Sequence, residues 1–142
     1  MSFPCNAFWT VLDMAKPLNP NKPAITKSTA EKILATVPYV NGFHFFTSIG
    51  QYTGETAISL MIFARKVELI PIESIDFHFK RADFQKWIAD IIGDNELATA
   101  IGHIEKELTG EVLRRRILEI INARVIELES KIQHASTTGS KK

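Results

Sequence analysis

His78 and Asp83 are the two residues whose types and spacing come nearest to chemistry in this chain. A carboxylate that orients an imidazole fixes its tautomer and leaves the second ring nitrogen to take a proton, which is the usual dress of a general base. The plainer reading is that His78, wedged between Phe77 and Phe79, is a hydrogen-bonded core residue and that Asp83 caps the next helix. A second candidate lies in the stretch 50–54, GQYTG, where two glycines permit close backbone approach, as in a phosphate cradle. A recognisable phosphate loop would also need a GK[ST] ending and a buried strand before it. Tyr52, Thr53, His78 and Asp83 are therefore candidate ligand-binding residues, and no residue is assigned a catalytic role.

The remaining reactive side chains form no constellation. His44, His78, His103 and His134 are scattered, and the one helical pair, His103 with Glu107, leaves zinc two ligands short, so neither a metal site nor a cofactor is expected. The single cysteine, Cys5, has no base partner nearby in sequence. Arg114, Arg115 and Arg116 are the only basic run within the body. With Lys80, Arg81 and Lys86 they could contact phosphates of RNA or an acidic partner. Their simpler use is ion pairing on a solvated helix face, Arg115 with Glu111 and Glu119, and Glu127 with Lys131.

Composition bounds the class. The chain has 142 residues, 45% apolar and 23% charged, with a formal net charge of +1, which fits one soluble globular domain and argues against a dedicated nucleic-acid packager. One cysteine rules out an internal disulfide framework and fits a reducing compartment. No apolar run approaches the roughly 20 residues that span a bilayer, and no leader pattern opens the chain, so no membrane contact and a cytoplasmic location are expected.

The elements that must position the candidates follow from periodicity. Residues 1–27 read as an arm carrying Phe8 and Trp9 on a proline-rich linker, 28–133 as a single helical domain, and 134–142 as a disordered tail. Ser28 with Glu31 is a capping box for a short helix that Pro38 ends. The aromatic stretch 39–46 predicts a minor extended element with a turn at Asn41 and Gly42. Thr53 would cap a helix over 55–69 that Pro71 stops. Residues 75–79 fit strand or helix, and helix with Ser74 as cap is preferred. Phe84, Trp87, Ile88, Ile91 and Ile92 make one helical face, with Asp83 as N-cap, Gly93 as left-handed C-cap and Asp94 as the next N-cap. Leu97, Ile101, Ile104 and Leu108 give a heptad-like seam, and 111–133 forms the longest helix. The predicted fold is mainly α, a compact bundle of five or six helices with a long C-terminal helix and an extended piece near 39–47.

Several of these residues also carry a resemblance. Gly50, Tyr52, Thr53 and Gly54, then Ser74, Ile75, Phe77, His78, Phe79, Arg81, Asp83, Phe84, Trp87 and Ile88, follow GxYTG and SIxFHFxRxDFxxWI patterns. Gly93, Asp94, Leu97, Ala98, Ile101, Gly110, Glu111, Leu113 and Arg114 continue them. Over roughly 43–128 the chain resembles a small prokaryotic, mostly archaeal domain family of unknown function. The resemblance implies a fold and a prokaryotic cytoplasm but no reaction. Ala82 departs from the glycine expected there, which predicts that the joint before Asp83 needs no positive φ.

The function expected on these grounds is a non-catalytic protein-interaction or regulatory module that self-associates, first as a dimer, through helical surfaces, and that docks an unknown protein partner. Phe8, Trp9, Val125 and Leu128 are its interface candidates, because the stripe of the last helix is longer than a small core can cover. Polyanion binding through Arg114–Arg116 and a small-ligand or enzymatic pocket around His78 and Asp83 stand as alternatives.

Overall fold

The computed structural model describes residues 24–140, with side chains to 133. The chain is mainly α: the described residues form six helices and one two-stranded hairpin. The arm residues Phe8 and Trp9, and Cys5, lie outside the described residues.

Helix α1 (Lys27–Leu34) starts earlier than the expected capping box. The Thr26 hydroxyl, not that of Ser28, accepts the Thr29 amide at 3.1 Å. A 3-10 turn, Tyr39–Asn41, closed by the Gly42 amide on the Tyr39 carbonyl at 2.9 Å, leads into strand β1 (Phe43–Ser48), so the turn at Asn41 and Gly42 precedes the extended piece rather than interrupting it. A Cβ on Gly42 would lie 2.8 Å from both the Ala57 carbonyl oxygen and the Thr56 methyl, which is why glycine stands where the hairpin closes.

The largest correction concerns GQYTG. It turns the chain at Ile49 and Gly50 and then forms strand β2 (Gln51–Ala57), antiparallel to β1 with Phe46 opposite Tyr52 and His44 opposite Thr56. Thr53 caps no helix; its hydroxyl donates to the Phe45 carbonyl at 2.8 Å. Pairing with β1 gives this segment's backbone groups the partners that a helical start would have left unmade. Helix α2 (Leu60–Leu69) therefore begins late, capped by the Ser59 hydroxyl on the Ile62 amide at 3.2 Å.

Residues 75–79 are helical, within α3 (Ile72–Lys80), but Ser74 is no cap. The helix starts after Pro71, and the Ser74 hydroxyl is buried with no partner among the described residues. Helix α4 (Asp83–Trp87) runs into a π-turn over Ile88–Ile92. The wider turn rotates Ile91 towards solvent while Phe84, Trp87, Ile88 and Ile92 stay buried. Gly93 closes it in the left-handed region at φ 89°, as its position predicted.

Asp94 caps helix α5 (Asn95–Gly102) by accepting the Leu97 amide at 3.1 Å. The seam through Ile104 and Leu108 is not helical, because α5 ends at Gly102. Helix α6 (Gly110–Ser140) carries its backbone past the end expected near 133. It is the spine of the fold: α1, α2, α3 and α5 lie against it, and the hairpin rests on α2 and α3. Val125 and Leu128 are 8% and 0% exposed and belong to the chain's own core. These two interface candidates are thus covered by the chain's own shorter helices. Asp94 and Arg124 are 2% and 7% exposed and form a two-pronged ion pair, Nε to Oδ2 at 2.7 Å and Nη2 to Oδ1 at 2.9 Å.

Candidate functional site

The aromatic residues of β1, α2 and α4 build a cage into which α3 projects His78. Phe43 and Phe45 point inward from β1, while Phe63 and Phe84 close the cage from α2 and α4. The His78 ring packs edge-on against Phe43, with centroids 4.7 Å apart, and the residue is 4% exposed. Its Nε2 accepts the Phe46 backbone N–H at 2.8 Å, and its Nδ1 lies 2.8 Å from Asp83 Oδ2. A backbone N–H only donates, so Nε2 carries the lone pair and Nδ1–H donates to the carboxylate. Burial pushes the His78 pKa below its ordinary value of 6.5, outweighing Asp83, which raises it, and helped by Arg81, which lowers it. The ring is neutral at neutral pH, and its only basic nitrogen is already occupied.

Asp83 is held by a strained joint. Ala82 adopts φ 62°, the only positive φ at a non-glycine among the described residues, contrary to the expectation drawn from its being alanine. Ala82 also takes the cap position assigned to Asp83, which instead opens the first turn of α4. The reversal at Ala82 brings Arg81 back beside Asp83, with Nε donating to Oδ2 at 3.0 Å. The Arg81 guanidinium lies over the Phe77 ring, 5.0 Å from its centroid.

Beside this group opens a cleft of about 360 Å³ between the hairpin and α3, lined by His44, Phe46, Ile49, Phe77, Arg81 and Asp83, with His78 at its inner wall. Of the four ligand-binding candidates, His78 and Asp83 border the cleft. Tyr52 stands outside it, its ring 5.4 Å from Phe46, and Thr53 faces the Phe45 carbonyl. The sequence reading missed His44, Phe46, Ile49 and Phe77. The alternation of β1 puts His44 and Phe46 on the face opposite Phe43 and Phe45, and Phe77 and Arg81 share a helical face at i and i+4; these signals could have found them. On the outer hairpin face Thr56 Oγ1 joins His44 Nδ1 at 2.7 Å, Tyr39 at 3.3 Å and Tyr52.

The three arginines of the run at 114–116 have different surroundings. Arg114 Nη1 donates to the carbonyls of Val67 and Ile70 at 2.7 and 2.8 Å, capping the C-terminal end of α2, while its other nitrogens hold Glu111 at 2.9 and 3.2 Å. Arg116 pairs with Glu119 at 3.4 Å, and Arg124 takes Glu127 at 3.0 Å. The pairs expected for Arg115 and for Lys131 are therefore replaced by these. Arg115 is exposed on α6.

Among the described residues no group of three histidine, cysteine, aspartate or glutamate side chains could hold a metal ion, and no helix is long and apolar enough to cross a membrane. Comparison with known proteins finds no matching family model, no matching curated protein and no matching solved structure.

Proposed function

We propose that the protein is a cytoplasmic, non-catalytic binding module whose recognition site is the cleft between the hairpin and α3. The observation that carries this reading is the state of His78. Its basic nitrogen is spent on the Phe46 amide and its proton on Asp83, so the residue best suited to acid–base chemistry braces the wall instead. The cleft itself is apolar with a few convergent polar groups, the usual make-up of a small-ligand site. Apolar surface also gathers around it, with Ile49 at the hairpin tip 76% exposed and Tyr39, Val40 and Tyr52 exposed nearby. Self-association through α6 loses support, because Val125 and Leu128 are core.

The test is a titration of the full chain with small aromatic molecules, followed by amide NMR. The amides of Phe46, Ile49, Phe77 and Arg81 should shift together. Silence of these amides at about 1 mM of every compound, the weak limit of useful affinity, would count against the cleft.

A further inference from the structure

We infer that the cleft selects an uncharged, planar ligand that presents a carbonyl beside an N–H, the edge of a ring lactam or aromatic carboxamide, read by Arg81 and Asp83. This rests on the binding reading above and names the ligand class for the same site.

Three observations point the same way. The first is charge. Arg81 and Asp83 touch at 3.0 Å and neutralise one another, so an anion in the cleft meets Asp83 and a cation meets Arg81. The second is unspent hydrogen bonding. Arg81 uses only Nε on described residues, which leaves both Nη groups as donors. Asp83 receives both His78 and Arg81 on Oδ2, which leaves Oδ1 as an acceptor. A donor and an acceptor side by side are the complement of a cis –C(=O)–NH– edge: the guanidinium donates to the carbonyl, and the ligand N–H donates to the carboxylate. The third is shape and rigidity. Phe46 and Phe77 supply aromatic walls, and Arg81 is pinned both on the Phe77 ring and on Asp83. The strained Ala82 between them is what holds the donor and the acceptor adjacent, and such strain gathers where a site is preorganised.

The experiment compares three probes on the full chain by amide NMR: 2-quinolinone, which carries the lactam; quinoline, which has the same rings without it; and 2-naphthoate, an anion of similar size. The lactam should bind at the cleft about tenfold more tightly than either of the others, the gain expected from one well-formed polar pair. Arg81→Met, checked for an unchanged spectrum away from the cleft, should erase the difference between the lactam and quinoline. Arg81→Lys, which keeps the charge but loses the planar fork, should behave likewise. Equal or tighter binding of quinoline or naphthoate in the cleft, or a preference that survives both variants, overturns the ligand class and leaves the binding site standing. If none of the three probes moves the cleft amides, the binding reading falls with it.

Discussion

His78 Nε2 accepts the backbone N–H of Phe46 at 2.8 Å, and this bond joins α3 to the edge of β1. Protonation of Nε2 would set two N–H groups against each other, so the link survives only while the ring is neutral. The His78 pKa is lowered in the folded chain, chiefly by burial. Between that lowered value and about 6.5 the unfolded chain binds more protons than the folded one. The resulting stability is complete above about pH 6.5 and is lost as pH falls through the window below it. Urea midpoints at descending pH should fall accordingly. His78→Gln, whose amide oxygen can still accept the Phe46 N–H, should lose this part of the slope; retention of the full slope in that variant would rule out His78 as its source.

Removal of Arg124 strands a buried carboxylate. Arg124→Met should cost about 3–5 kcal/mol, because Asp94 is left charged and desolvated. Asp94→Asn in the same chain should recover part of that loss, since an asparagine still caps α5. A double-mutant cycle in urea measures the coupling, and simple additivity would mean that the two residues act independently.

Ala82→Gly should stabilise the chain. A left-handed alanine costs roughly 1–2 kcal/mol, and the added freedom of unfolded glycine gives back about 0.4–1 kcal/mol, so a net gain of up to about 1.6 kcal/mol is expected. Calorimetry would show it as a raised Tm, and a lowered Tm would locate the strain elsewhere.

Replacement of Val125 or Leu128 by glutamate should unfold the chain rather than divide a dimer, because each would bury a charge in the shared core. Light scattering together with circular dichroism distinguishes the two: a folded product of lower mass would restore the interface reading.

What was legible in the sequence was what neighbouring residues decide among themselves. The Gly93 cap, the Asp94 cap and the long stripe of α6 depend on residues within a turn or two of each other, and all were readable. Strand β2 was not, because 51–57 has little period of its own and becomes a strand only against β1. The role of Arg114 was hidden for a related reason: its carbonyl partners Val67 and Ile70 lie far back along the chain. Ala82 misled more deeply. Its residue type argues against a left-handed backbone, yet the reversal there is what brings Asp83 within reach of His78 and Arg81. The candidate site divided along the same line, with His78 and Asp83 found by their chemistry and the cleft walls missed because the hairpin was.

The hairpin rests on α2 and α3, whereas four of the helices lie along α6. Phe43 and Phe45 of the hairpin nevertheless belong to the same buried core as Leu113 and Ile117 of α6, so the hairpin leaves its place only by opening that core. The two walls of the cleft are thus tied through one core, and β1 parts from α3 only when the aromatic packing between them gives way. Any occupant that touches both walls binds only the closed form, and the molecule registers occupancy as a slowing of its own opening.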